Sequence, residues 1–328
     1  MPAKLLIIRF SSIGDIVLTT PVIRCLKEQV HDGCEIHYIT REPFVPLLKA
    51  NPYITKIYSV RQTTAEVIRE LKDEHFDYII DLHHNLRSTR LKMKLSRLSF
   101  SVNKINIQKW LMVNFKINVL PQKHIVDRYL ETVKSFGIVN DGKGLDYFIP
   151  QEDDVEITSL PETHRNGFIG FAIGAKYATK RLPVEKIIAI CRLISKPVIL
   201  MGGMEDRDRG DEIVKNSGQH VFNGCGIYWL NQTASLIRQA EKIISHDTGL
   251  MHIAAAFKKP IISIWGNTIP EFGMYPYYGD FIIRNYKSEI RNLPCRPCSK
   301  LGFRRCPKGH FKCMNLINER EVADWVNE

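Results

Sequence analysis

Two apolar runs in this 328-residue chain end on residues whose types and spacing could do chemistry. The first, Lys4 to Phe10 (KLLIIRF), stops on Ser11-Ser12-Ile13-Gly14-Asp15. A carboxylate at that point can take a proton from a bound hydroxyl, or it can cap the helix that follows. The second, Glu241 to Ser245 (EKIIS), stops on His246-Asp247-Thr248-Gly249-Leu250-Met251-His252 and runs into a small-residue helix over Ala254 to Phe257. With Asp247 or Thr248 as N-cap, unpaired backbone N–H groups and the positive end of the helix dipole face outward, which suits a diphosphate. The same short motif also describes an ordinary capped turn, so its weight depends on the rest of the chain.

Three further clusters bear on this. Ala175 to Pro183 (AKYATKRLP) puts Lys176, Lys180 and Arg181 within six residues after the strand GFIGFAIG, a charge density suited to phosphate oxygens. Glu205 follows the strand PVILMG and resembles the acidic residue with which many nucleotide-binding α/β domains hold ribose hydroxyls. No GxGxxG follows any strand, which argues against a dinucleotide dehydrogenase. The run His83-His84-Asn85-Leu86-Arg87-Ser88-Thr89-Arg90 after DYIIDL reads either as the lining of an acidic acceptor site or as a solvated loop. In the tail, Cys295-x2-Cys298-x7-Cys306-x6-Cys313 would permit a structural tetrahedral zinc, with His310 as a competing ligand. The second pair lacks the close spacing of a zinc ribbon, so packed free thiols are the expectation.

These loops need elements to position them, and the alternation of strands and helices supplies a doubly wound α/β sheet. Strands are expected over 35–40, 56–60 and 77–82 in the first half and over 167–174, 197–202, 220–222 and 260–266 in the second. The stretch IVLTTPVIRCLKEQV reads as one amphipathic helix despite Pro21, and further helices are expected over 63–73, 184–195, 232–241 and Asn315 to Val326. A polar, pattern-poor stretch over 138–166 marks a boundary, giving domains 1–155 and 156–314 and a last helix, 315–328.

Net charge bounds the partners. With 46 basic against 35 acidic residues the chain carries +11, which favours an anionic partner. No apolar run reaches membrane-spanning length, so a cytoplasmic chain with mostly reduced cysteines is expected, with any membrane contact peripheral. From Leu91 to Lys123, cations such as Lys92, Lys94, Arg97, Lys104, Lys109 and Lys116 alternate with Leu98, Phe100, Trp110, Leu111, Met112 and Phe115. This reads as a membrane-surface face or as an ordinary helix with snorkelling lysines.

Arg9 to Pro21 (RFSSIGDIVLTTP) and Asp247 to Ala256 (DTGLMHIAAA), taken together, resemble the signatures of glycosyltransferase family nine, the ADP-heptose:lipopolysaccharide heptosyltransferases. Asp81 to Arg87, His124 to Tyr129, Lys180 to Pro183 and the cysteine-rich tail follow in family order, so the resemblance spans nearly the whole chain. It implies the GT-B architecture: two facing Rossmann-like domains with a cleft between them and a C-terminal helix packing back on the N-terminal domain. The N-terminal domain would bind a lipid-linked sugar acceptor and the C-terminal domain the ADP-sugar. Transfer would invert the anomeric centre without a required metal or other cofactor, at the inner face of the bacterial inner membrane.

The resemblance also implies residue roles. Asp15 would be the general base, and Ser11, Ser12, Gly14, Arg87 and Arg128 would hold the acceptor. Lys180 would stabilise the departing diphosphate with Thr179, Thr248 and Gly249, while Glu205 would hold the ribose. Asp247 would orient the donor sugar or its loop, and His252 would reach the phosphates or the sugar. Leu182 stands where many heptosyltransferases carry an aromatic residue before the proline, which bears on donor choice. The competing readings are a same-fold enzyme using another nucleotide-sugar and a basic, zinc-containing nucleic-acid-binding protein. The latter leaves the paired loops without a role, so no nucleic acid is expected.

Overall fold

The apolar runs become parallel strands in a computed structural model that describes residues 2–328. The chain divides into two compact units. Met1–Lys104, Lys123–Pro150 and Tyr277–Phe281 form the first; Ile105–Gln122, Gln151–Pro276 and Ile282–Glu328 form the second. The main passage between them falls at Pro150. The excursions over 105–122 and 277–281 have no compositional mark.

The first unit holds β1 (Ala3–Ile8), α1 (Ile13–Val17), α2 (Thr20–Gln29), β2 (Cys34–Arg41), β3 (Lys56–Val60), α3 (Ile68–Asp73), β4 (Tyr78–Asp81), α4 (Leu86–Leu95) and β5 (Leu98–Ser101). Its five-stranded sheet runs β3-β2-β1-β4-β5, all parallel, with Ile8 opposite Asp81 at the carboxyl ends of β1 and β4. Strand order reverses between β1 and β4, the position where open α/β sheets bind ligands. Leu6, Ile8, Ile39, Tyr58, Phe76 and Ile79 fill the core on one side of this sheet. The single helix read over IVLTTPVIRCLKEQV is broken in two: Pro21 sits in the first turn of α2, where its missing N–H costs nothing, and so ends α1 before it.

After α5 (Asn106–Phe115), which belongs to the second unit, the chain returns to the first in α6 (Ile125–Glu131). Buried Arg24 of α2 ties down the return. It donates to Asp141 through Nε and Nη2 at 2.6 and 2.9 Å, to the Gly144 carbonyl at 2.8 Å, and pairs with Asp146.

The second unit contains β6 (Ile169–Ala172), α7 (Val184–Leu193), β7 (Val198–Met201), α8 (Arg207–Ser217), β8 (Val221–Asn223), α9 (Leu230–Gln239), β9 (Lys242–His246), α10 (Gly249–Ala256), β10 (Ile261–Trp265), β11 (Asn285–Glu289), α11 (Lys312–Asn315) and α12 (Glu319–Asn327). Its six parallel strands run β11-β10-β9-β6-β7-β8, and here the order reverses between β6 and β9. The loops carrying Lys180 and Asp247 leave those two strands.

The C-terminal helix α12 packs on α7, and Val322, Ala323, Trp325 and Val326 join the core of the second unit. Lys186 of α7 pairs with Glu319 at 2.7 Å and donates to the Ile317 carbonyl at 2.9 Å, while Asn327 Nδ2 donates to the Leu193 carbonyl at 2.9 Å. The helix has one apolar stripe, and that stripe is buried within its own unit.

Candidate active site

In the first unit the site grows from a buried charge. Arg9 directly follows β1 and is almost wholly buried, so its guanidinium must be satisfied internally. Nε donates to the Ser11 carbonyl at 2.7 Å; Nη1 donates to the Leu82 carbonyl at 2.5 Å and to the Tyr129 hydroxyl at 2.9 Å. Nη2 pairs with Asp15 Oδ1 at 2.5 Å. Burial works against this charge, but Asp15 and the neighbouring tyrosines more than offset it and raise the Arg9 pKa. The other carboxylate oxygen of Asp15, Oδ2, accepts from Ser12 Oγ at 2.8 Å and from Ser12 N at 3.2 Å, a capping box at the start of α1. Asp15 is thus fixed through both oxygens and remains partly exposed.

The other expected acceptor residues divide. Gly14 is buried, and Ser12 is exposed beside Asp15. Arg87 is exposed with its guanidinium 5.6 Å from the centre of the Phe10 ring. Arg128 is buried in α6, where desolvation lowers its pKa.

Sequence reasoning gave His83 no individual role, yet it stands edge-on to Phe10 at 5.3 Å with Nδ1 lacking a hydrogen-bond partner among the described residues. Burial, and then the positive charges of Arg9 and Lys104, push its imidazole down to about 4. His246 in the second unit is fully buried, accepts from Leu182 N at 3.0 Å through Nε2, and is pushed down to about 3 by burial and then by Arg209 and Arg181. Both rings are neutral at pH 7. The folded protein refuses protons that unfolded histidine accepts near 6.5, so stability is intact above that pH and declines as the pH falls towards 4 and below. His83→Gln is expected to lose less stability on acidification, read as a smaller drop in the urea midpoint between pH 6.5 and 4.5.

The second unit's site is built on the β6–β9 reversal. Lys180 Nζ pairs with Asp247 Oδ2 at 2.5 Å and donates to the Asp247 carbonyl at 3.2 Å. Thr268, beyond β10, donates from Oγ1 to the same carboxylate oxygen at 2.8 Å. Three loops therefore converge on one carboxylate. Thr248 is the N-cap of α10 without a side-chain cap bond, its hydroxyl lying 3.4 Å from Ser245 Oγ. Gly249 opens that helix, and His252 is buried one turn further on. Glu205 is exposed at the end of β7. Its neighbour Asp206, overlooked in sequence, is buried between Arg181 at 3.7 Å and Arg209 at 3.5 Å, and burial raises its pKa despite them.

Thr179 differs from expectation in its surroundings. It is buried, and its hydroxyl accepts from Phe303 N at 2.8 Å, so the tail occupies it. The tail has a second hold: Arg296 donates to the carbonyls of Gly266 at 2.7 Å and Thr268 at 2.8 Å and pairs with Glu289 at 2.6 Å. The cysteine-rich segment thereby braces the loop carrying Thr268. Cys295 Sγ lies 3.8 Å from His310 Nε2, and burial, then Cys298, Cys306 and Cys295, push the Cys313 thiol up to about 12. Among the described residues no three His, Cys, Asp or Glu side chains are grouped to hold a metal ion.

Two all-parallel Rossmann-like sheets, each presenting its polar loops at the strand-order reversal, are the architecture of the GT-B glycosyltransferases. A solved family 9 glycosyltransferase from Veillonella parvula superposes with a TM-score of 0.76 at 22% identity, covering 98% of this chain and 95% of that one. E. coli heptosyltransferase WaaC with ADP superposes with a TM-score of 0.67 at 22% identity, covering 91% and 96%. Lipopolysaccharide heptosyltransferase 1 of Campylobacter coli is 25% identical over 99% of this chain and 98% of its own length. The model of glycosyltransferase family 9 (heptosyltransferase) matches residues 64–300, and the chain belongs to that family. It is a glycosyltransferase.

Proposed function

We propose that the chain transfers heptose from ADP-L-glycero-D-manno-heptose to a hydroxyl of the lipopolysaccharide inner core, on Kdo-lipid A or heptosyl-Kdo-lipid A. The observation that carries this reading is the convergence of Lys180, Asp247 and Thr268 beside the N-terminus of α10, in a chain of this family. A departing ADP gains negative charge on its diphosphate. An ammonium group and helix N–H groups fixed in advance stabilise that charge without help from a metal ion. Lys180, Thr248 and Gly249 take this role, with His252 within the same helix and Thr179 bracing the loop from behind. Glu205 holds the ribose hydroxyls, and Asp247 sets the loop and the donor sugar.

On the first unit, Asp15 acts as general base towards an acceptor held by Ser11, Ser12, Gly14, Arg87 and Arg128. The acceptor hydroxyl takes the place of the Ser12 hydroxyl on Oδ2, an exchange of one O–H donor for another. Asp is a weak base, with a reference pKa near 3.9. Proton transfer therefore comes late, as the hydroxyl acidifies on bonding to an oxocarbenium-like carbon, and attack from the face opposite ADP inverts the centre. No helix among the described residues is long and apolar enough to cross a membrane, and the reading places the enzyme peripherally at the cytoplasmic surface that presents its lipid-linked acceptor.

Purified protein given ADP-heptose and Kdo-lipid A is expected to release ADP only when both are present. ADP binding by calorimetry without turnover on any lipopolysaccharide acceptor would retain the nucleotide site and overturn the acceptor. Turnover with another ADP-sugar in place of ADP-heptose would overturn the donor.

A further inference from the structure

We infer that α5 and the segment following it, Ile107 to Val119, form a docking surface for an anionic phospholipid bilayer. The inference deepens the reading of a lipid-linked acceptor by naming the surface that meets the membrane. None of the ten residues of α5 is buried, although the helix is rich in apolar side chains (NIQKWLMVNF). Ile107 is 72% exposed and Phe115 59%, and Trp110, Ile117 and Val119 are each at least half exposed. The rings of Trp110 and Phe115 meet edge to face at 5.2 Å, making one apolar knob. A helix held in solution for packing alone would turn this stripe inward.

The segment is nevertheless fastened to its unit. Ile105 is buried at its start, Lys109 lies 5.7 Å from the centre of the Phe272 ring, and Lys116 Nζ donates to the Pro297 carbonyl at 2.6 Å. The knob is therefore presented from a fixed base.

Charge identifies the occupant. From Ile105 to Gln122, the part of the chain that belongs with α5 to the second unit, there are two lysines, Lys109 and Lys116, and no Asp or Glu, in a protein of net charge +11. Five of the nineteen exposed large apolar side chains among the described residues fall in those same 18 residues, far more than their share of the length. An apolar wedge of Trp, Phe and Ile in a stretch from which acidic residues are absent is what binds the headgroup boundary of an anionic leaflet. A protein partner met through a polar rim imposes no such exclusion of acidic groups.

The test is co-sedimentation of the full chain, without donor or acceptor, on phosphatidylcholine vesicles with and without phosphatidylglycerol. Binding is expected only with phosphatidylglycerol and is expected to weaken as salt is raised. Trp110→Ser with Phe115→Ser should weaken it about tenfold or more, while turnover on a deacylated, soluble acceptor stays unchanged, showing the variant is folded. Ile107→Ser with Ile117→Ser gives a second handle on the same surface and should weaken binding likewise. Absence of binding to either vesicle, equal binding by the parent and the Trp110/Phe115 variant, or a self-associated parent that this variant dissociates would overturn the inference. Because no sugar substrate is present, such a failure leaves the transfer reaction untouched, and failure of transfer leaves the vesicle result standing.

Discussion

Asp15→Asn is expected to lower kcat by about 10²–10⁴-fold, the usual worth of a positioned general base, while leaving ADP affinity nearly unchanged. The expectation rests on the two bonds that fix the carboxylate. Oδ1 faces Arg9 at 2.5 Å, and Oδ2 faces Ser12 Oγ at 2.8 Å on the exposed side. Asparagine keeps an acceptor oxygen for Arg9 and removes the basic one. Asp15→Ala should lose as much turnover and, in addition, stability, because it strips a buried guanidinium of its counter-ion. Removing one member of a buried pair costs about 3–5 kcal/mol; here the value should lie towards or below the lower end, since Arg9 keeps its bonds to Ser11, Leu82 and Tyr129 and Asp15 is partly solvated. Kinetics of ADP release, ADP calorimetry and urea denaturation on both variants separate the two effects. A parallel loss of ADP binding in Asp15→Asn would remove Asp15 from the role of base.

How much of this was legible beforehand depends on burial. Strands β1, β4, β6, β7, β9 and β10 lie inside their sheets with long apolar runs, and each was readable within a residue or two. β5 (LSFS) and β11 (NYKSE) are edge strands with little burial, so nothing in their composition sets them apart. The final helix read as Asn315 to Val326 is two pieces, because the Asn318 side chain accepts from Arg320 N and Glu321 N and starts α12 afresh.

The site was legible by loop but not by partner. Asp15, Lys180 and Asp247 were singled out because each follows an apolar run. Arg9 had a signal that was passed over: an arginine enclosed by the apolar residues of LLIIRF must be buried with them, and a buried guanidinium requires a carboxylate nearby. Asp206 and His83 have no such mark, since only the fold shows that one is enclosed by arginines and the other stands against Phe10. Nor can spacing alone reveal that Lys180 meets a carboxylate 67 residues away. That pairing follows from the strand order, which sets β6 beside β9.

That same pairing carries the second large effect. The Lys180 ammonium pairs with Asp247 Oδ2, which also accepts from Thr268. The two charges are largely withdrawn from solvent, and the bond holds the ammonium beside the α10 N-terminus, where the proposed reading puts the diphosphate. Lys180→Ala is expected to lower kcat by about 10²–10³-fold, as loss of one preorganised donor to a developing charge does, and to weaken ADP binding as well. Asp247→Asn should differ in kind. It keeps an oxygen for Lys180 and Thr268 but removes the charge that orients the ammonium, so kcat should fall while ADP, no longer competing with a carboxylate for Lys180, binds as well as before or better. Calorimetry with ADP on the two variants distinguishes these cases. If Lys180→Ala bound ADP as tightly as the parent and lost no turnover, Lys180 would be only the structural counter-ion of Asp247, and the diphosphate charge would have to be met by the helix terminus and other cations of the unit.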